Sequence, residues 1–279
     1  MTAKVVDGNN LARTKSVELK KLVKKLDKKL VLGIVVFEDD LAGLKYSGLK
    51  MKVASNLGIE IKRVVIKFKN QEQVEKKVRE LNEDSSVTGL MIQHPGKRWA
   101  REKGMADDNF LSWWKKLISL INQSKDVDGL RGDSIFQLGV VKAVMEIIEK
   151  YIPSRDGILA VVVGKRGFVG RGLVKTLKEN GYTVKGLGRD DDLKGQCSKA
   201  DILISATGKA GLIRVEMVKE GAIVIDVGWP KAEVEYETVK EKASVITPVP
   251  GGVGPLSVVC LLENLVKAGY TSNLNTHIG

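Results

Sequence analysis

The stretch VVVGKRGFVGRGLVKTL, residues 161–177, sets a β-branched run before three glycines, Gly164, Gly167 and Gly170, and then a helical pattern. In that strand–turn–helix context, amides at the helix start can hold a pyrophosphate, because glycine lets backbone approach closely and a helix N-terminus favours anions. The spacing is G-x-x-G-x-x-G, not G-x-G-x-x-G, so a merely tight strand-to-helix turn is the plainer alternative. The charge beside the ribose then decides which dinucleotide fits: NAD sites offer a carboxylate to the 2′-hydroxyl, NADP sites a cation to the 2′-phosphate. Lys165 and Arg166 lie in the turn and Arg189 follows the next strand, which favours NADP; Asp190, beside Arg189, is the residue that would favour NAD. With Val169 in the first helical turn, and Thr207 and Gly208 closing DILISATG, these are the expected cofactor-binding residues.

A second stretch, TPVPGGVGPLS from Thr247, places Pro248, Pro250, Pro255, Gly251, Gly252 and Gly254 directly before an apolar helix. Prolines restrict φ and glycines permit close approach, so such a loop can present amides to flat rings with little entropy left to lose. A domain-crossing linker is the bland reading.

The elements that must position these loops read as α/β. LVLGIVVF, IKRVVIKF and VTGLMIQ alternate with helical patterns through Lys50 and near Val74–Leu81. A helix over Asn109–Gln123 carries Trp113 and Trp114 as packing anchors, and another spans Val140–Tyr151. After the break IPSRDG the alternation restarts with ILAVVVG, YTVKGLG, DILISATG, AIVIDVGW and ASVITPVP, and a last helix runs from Pro255 to about Ala268. Such buried, β-branched strands suit parallel sheets with helices on the faces.

At 279 residues, two domains are expected. The net charge of +12 invites a polyanion partner, but the lysines of TKSVELKKLVKKLDKKL fill the solvated faces around Leu19, Leu22, Val23, Leu26 and Leu30 of one amphipathic helix. With aromatics at 5% and no stacking or groove-reading motif, nucleic acid is excluded as a partner. No apolar run is long enough to span a bilayer and the start lacks signal-peptide character, so no membrane is expected and the cytoplasm is. Cys197 and Cys260 have neither disulfide nor metal-ligand spacing and read as buried fillers. The two histidines, His94 and His277, exclude a zinc hydrolase or a His-based triad, and no metal is expected.

Three more fragments, YSGLKMKVASNLGIEI, IQHP and KDVDGL, join VVVGKRGFVG, VIDVG and ITPVPGGVGPLS. In this order they closely resemble the methylenetetrahydrofolate dehydrogenase/cyclohydrolase family, the bifunctional enzymes of one-carbon metabolism. The resemblance implies two α/β domains with a cleft between them: residues 1–133 plus 256–279 bind folate, and 134–255 form a Rossmann-type NADP-binding domain. It implies oxidation of methylenetetrahydrofolate to the methenyl form and hydrolysis to 10-formyltetrahydrofolate, feeding purine biosynthesis, in a homodimer acting on a small-molecule substrate. It assigns Tyr46 and Lys50 to the Y-x-x-x-K motif, with Lys50 transferring protons in hydrolysis. Four residues apart on a helix, the two share a face, and a lysine can act so only with its pKa lowered by burial or neighbours. Gln93 would hold that lysine, and Asp128, the second aspartate of KDVDG, would receive the pterin's amino and ring N–H groups; Tyr46, Lys50, Gln93 and Asp128 are thus the implied catalytic residues. Pro250, Gly251, Gly252, Gly254 and Pro255 would lie beside folate and nicotinamide, with Tyr46 and Asp128 also binding substrate. Gly43 stands where the family usually has serine, His94-Pro95-Gly96-Lys97 replaces L-P-L-P, and Arg166 replaces a serine. The connection from Gln93 to Asp128 is longer than usual. Alternatives are a shikimate-dehydrogenase-like NADP oxidoreductase and a dehydrogenase for a related pterin carrier.

Overall fold

The computed structural model describes residues 2–152 and 155–276; His277 lies outside them. In chain order the elements are β1 (Lys4–Val5), α1 (Gly8–Lys24), β2 (Val31–Phe37), α2 (Leu41–Leu57), β3 (Glu60–Ile66), α3 (Gln71–Glu83), β4 (Gly89–Ile92), α4 (Gly96–Glu102) and α5 (Asp107–Ser119). Then come α6 (Gly139–Tyr151), β5 (Leu159–Val163), α7 (Phe168–Glu179), β6 (Thr183–Leu187), α8 (Leu193–Cys197), β7 (Ile202–Ser205), β8 (Ile223–Asp226), α9 (Tyr236–Val239), β9 (Val245–Ile246) and α10 (Val253–Thr276). They form two compact units, Met1–Thr14 with Leu138–Cys260, and Lys15–Gln137 with the chain from Leu261.

The unit built on Lys15–Gln137 holds a parallel sheet in the order β3-β2-β4. Its central strand VLGIVVF is buried at every position, as a strand covered on both faces must be. One residue past β4 the pairing continues, with Gln93 N–H donating to the Val35 carbonyl at 2.8 Å, which fixes where the Gln93 side chain starts. Helix α2 is capped by Asp40, whose carboxylate accepts from Gly43 N–H, and ends at Gly58 in the left-handed region, φ 81°. Its buried residues are Gly43, Ser47, Lys50, Ala54 and Leu57, one stripe at helical spacing. Lys50 therefore sits on the inward face by sequence register alone. Asn264 of α10 donates to the carbonyls of Val127 at 2.9 Å and Gln137 at 2.8 Å, fixing the segment that carries Asp128.

The other unit holds a six-stranded sheet in the order β1-β9-β8-β7-β5-β6, all pairs parallel. Alternate residues of β5 enter cores on opposite faces: Ala160 and Val162 pack with α6 and α7, Val161 and Val163 with Leu203 and Val224. This is the expected Rossmann-type arrangement, with helices α7, α8 and α9 in the connections that follow β5, β6 and β8.

Two divisions differ from the sequence expectation. The amino-terminal strand, placed there with residues 1–133, instead pairs with β9 as the edge of the six-stranded sheet, Val6 N–H donating to the Ile246 carbonyl at 2.9 Å. The compact units also part within α10, after Cys260, and not at residue 256. A lone two-residue strand carries too little pattern to name its partner. Helix α1 ends at Lys24, short of Leu26 and Leu30; Leu22 is 40% exposed, while Leu30 is buried at the approach to β2.

Candidate active site

Lys50 is 5% exposed, and its ammonium nitrogen meets three groups. Gln93 Oε1 lies at 3.3 Å, Met91 Sδ at 3.4 Å, and the Tyr46 ring centroid at 4.8 Å. Burial holds the Lys50 pKa below the usual lysine value, against the charge of Asp128, which pulls it up. Asp128 moves the other way: burial lifts its carboxyl to about 6, with Lys50 opposing and Asp126 reinforcing the rise. The four residues that the resemblance singled out thus come together in one unit, linked by hydrogen bond, ring contact and charge.

The two aspartates of KDVDG divide their tasks. Asp126 is fully buried and accepts from Leu130 N–H at 3.0 Å and Arg131 N–H at 2.9 Å, so it builds the turn. Among the described residues no hydrogen bond engages the half-buried Asp128 carboxylate, which leaves both oxygens for a donor pair. Lys125 is structural too, donating to the carbonyls of Asn82 and Asp84 at 2.8 Å each.

The residue missed from sequence is Met91. It precedes Gln93 by two on the same strand end, and side chains two apart point to one face. That period-2 relation was the available signal. A thioether accepts weakly, so Met91 packs the amine without the charge stabilisation a carboxylate would give.

Two departures from the family pattern have local causes. A Cβ at position 43 would lie 2.1 Å from Asp40 Oδ2, so the capping carboxylate fills the space a serine side chain would need. His94 sits edge-on to Trp114, 4.5 Å between centroids, and to Phe110 at 5.4 Å, and its Nδ1 accepts from Gly96 N–H at 3.0 Å. Burial lowers its pKa to about 4, so it is neutral at physiological pH. The longer connection after it is a packing element: buried Trp99 lies 4.5 Å from Phe37 and 5.1 Å from Phe68, and its indole N–H donates to Asp39 at 2.7 Å. Trp113 and Trp114 are likewise buried anchors, and Cys197 and Cys260 are buried and form no disulfide among the described residues.

In the other unit the glycine turn follows β5. Gly164 has φ 107°, and a Cβ there would lie 2.2 Å from the Ala206 carbonyl oxygen; one at Gly170 would lie 2.2 Å from the Gly164 oxygen. Those two glycines are demanded by the protein's own packing. Gly167 meets nothing closer than 3.5 Å and occupies the N-cap of α7 with no side-chain hydrogen bond. The first-turn amides, including Val169, therefore carry no side-chain cap and suit a phosphate. With cations beside it, the turn fits a dinucleotide. Those cations are unequal, however. Lys165 pairs with Asp191 at 2.6 Å and Arg166 with Asp190 at 3.0 Å, whereas exposed Arg189 makes no ion pair among the described residues. The backbone N–H groups of Thr207 and Gly208 both donate to Glu233 at 2.7 Å.

The Pro/Gly loop packs on the amino terminus of its own unit: a Cβ at Gly8 would lie 1.8 Å from the Gly252 carbonyl oxygen. Gly252 is itself tight, its Cβ position 2.6 Å from the Pro248 oxygen, and Gly251 has φ 106°. At Gly254 a Cβ would meet nothing within 4 Å, so the fold does not require that glycine. Pro250 closes the turn through a cis bond with Val249, and Pro255 lies in the first turn of α10.

A buried lysine cluster on one α/β unit and a glycine turn on a Rossmann-type sheet are the features of a dinucleotide-dependent enzyme. Residues 6–128 match the catalytic domain of tetrahydrofolate dehydrogenase/cyclohydrolase, and residues 140–273 match its NAD(P)-binding domain. The chain belongs to the tetrahydrofolate dehydrogenase/cyclohydrolase family. It is 34% identical to the bifunctional protein FolD of Staphylococcus carnosus, over 96% of this chain and 97% of that one. The bifunctional methylenetetrahydrofolate dehydrogenase/cyclohydrolase of Campylobacter jejuni superposes with a TM-score of 0.86 at 30% identity, covering 97% of this chain and 99% of that one. The Trypanosoma brucei methylenetetrahydrofolate dehydrogenase-cyclohydrolase, solved with NADP and an inhibitor, gives 0.85 at 26% identity, covering 98% and 99%.

Proposed function

We propose that this enzyme oxidises 5,10-methylenetetrahydrofolate with NADP and hydrolyses the methenyl product to 10-formyltetrahydrofolate. The observation that carries the reading is Lys50: a buried amine with lowered pKa, held by Gln93 and charge-coupled to Asp128. When bound, the dinucleotide supplies the acceptor for the hydride that leaves the methylene carbon. The chain's own contribution there is orientation, with Tyr46 and Asp128 of one unit fixing the pterin.

Hydrolysis needs a base. Neutral Lys50 accepts a proton from water as its oxygen adds to the methenyl carbon; the bond from that carbon to N5 then breaks, N5 takes a proton, and one proton is released overall. Gln93 Oε1 and Met91 Sδ hold the amine in place for that transfer. The Asp128 carboxylate accepts the two pterin N–H donors when ionised.

NADP is preferred over NAD because, of the three cations at the turn, Arg189 is the one with no carboxylate partner among the described residues, while Asp190 is turned to Arg166. No helix of the described residues is long and apolar enough to cross a membrane. A cytoplasmic homodimer that serves purine biosynthesis and has no nucleic-acid partner completes the proposal. The test is to supply methylenetetrahydrofolate with NADP or NAD and follow reduced nicotinamide and methenyl absorbance separately. Formation of NADPH without accumulation of methenyl is expected; a folded sample that reduces neither cofactor sinks the reading.

A further inference from the structure

Glu233 is 2% exposed, and its carboxylate gathers four donors from the last residue of β7 and the loop after it. Ser205 Oγ donates at 2.5 Å, Thr207 N–H at 2.7 Å, Thr207 Oγ1 at 2.8 Å and Gly208 N–H at 2.7 Å. Glu233 is itself held by a second buried carboxylate. Asp226 Oδ2 accepts from Glu233 N–H at 2.7 Å and Val234 N–H at 2.9 Å, its Oδ1 accepts from Gly228 N–H at 2.7 Å, and Asp226 N–H donates to Thr247 Oγ1 at 2.7 Å. A buried carboxylate that accepts several charge-assisted hydrogen bonds is held in one position.

The loop that Glu233 pins carries Ala206, whose carbonyl oxygen lies 2.2 Å from where a Cβ of Gly164 would be. Glu233 therefore sets the surface against which the first glycine of the phosphate turn is seated. We infer that Glu233, braced by Asp226, is a positioning residue for dinucleotide binding, acting through the Ser205–Gly208 loop on the Gly164 turn. It touches no reacting atom. This rests on the reading of the Gly164 turn as the dinucleotide site.

The effect of Glu233→Gln is to turn an amide NH2 toward donors and so break at least one bond of the set. In the full-length protein the expected result is an approximately tenfold weaker Kd for NADP by titration calorimetry, with KM for NADP rising in step and kcat changing less. Hydrolysis of methenyltetrahydrofolate, measured without nucleotide, is expected to stay within about twofold of wild type, because Lys50, Gln93 and Asp128 lie in the other unit. Ser205→Ala, which removes one donor, is expected to weaken NADP by a smaller factor, and it serves if E233Q does not fold. Unchanged NADP affinity in either folded variant overturns the inference. So does equal loss of hydrolysis and NADP binding with a collapsed Tm, which would make Glu233 structural only. A wild-type protein that binds NADP but does not oxidise methylenetetrahydrofolate would sink the proposed function and leave this inference standing.

Discussion

At the scale of single residues, charge placement governs the chemistry. Asp128 titrates near 6 in the fold against 3.8 for an ordinary aspartate, because burial disfavours its charged form. Its folded value lies above its unfolded value, so the native state binds its proton more tightly; that stability is present below about 4 and is lost as pH rises through about 6. Asp128→Asn abolishes this titration. Denaturation is expected to find the variant about 2 kcal/mol more stable than wild type at pH 8 and near it at pH 4, after discount for partial exposure. Steady-state kinetics are expected to show kcat/KM for the folate falling on the order of 100-fold, since two charge-assisted bonds are lost. A variant that keeps its kcat/KM removes Asp128 from the site. Arg189→Ala is expected to raise KM for NADP roughly tenfold with little change for NAD. A rise of equal size for both cofactors would mean Arg189 is not the 2′-phosphate partner. Ion pairs such as Lys165–Asp191 were beyond the sequence reading, because they depend on how two loops meet and not on spacing within either.

At the scale of elements, period and punctuation were legible where a segment was long. The stripe Gly43, Ser47, Lys50, Ala54 and Leu57 follows from helical spacing, and the strands β2, β5 and β7 follow from β-branched runs. Fragments of two residues were not legible: β1 finds its place only through the ladder that β9 offers. Nor could spacing separate glycines the fold demands from those it leaves open. Gly252→Ala forces a Cβ to 2.6 Å from the Pro248 oxygen and is expected to lower Tm sharply. Gly254→Ala meets nothing and sits in α10, so Tm should hold or rise by the equivalent of up to about 1 kcal/mol while substrate affinity falls. Melting curves and KM values for both variants check this; a Gly254→Ala enzyme with native KM would remove that glycine from the site. Trp99→Ala leaves a void beside Phe37 and Phe68 and is expected to cost about 3–5 kcal/mol in denaturant unfolding. A loss below about 1 kcal/mol would show that the segment after Gln93 is not a packing element.

At the scale of the whole molecule, the sequence carried the family through motifs distributed from VVDG to PVPGGVGP, and each motif proved to have a physical task within its own unit. The β1 turn seats Gly8 against the Pro/Gly loop, KDVDG splits into a structural and an available carboxylate, and the lysine of Y-x-x-x-K lies on the buried stripe of α2 with half-buried Tyr46 beside it. What sequence could not give were the partners that arrive from distant elements: Met91 on Lys50, Glu233 on Thr207 and Gly208. In the proposed function one enzyme runs two steps, and only the hydrolytic one needs Lys50 as a base. The most direct measurement compares Lys50→Ala with wild type, following NADPH formation from methylenetetrahydrofolate and, separately, decay of methenyltetrahydrofolate. Hydrolysis should fall by at least about 100-fold, the usual scale of a lost general base, while measurable hydride transfer persists and methenyl accumulates. Equal loss of both steps with folate and NADP binding intact, or retention of hydrolysis, would contradict that division.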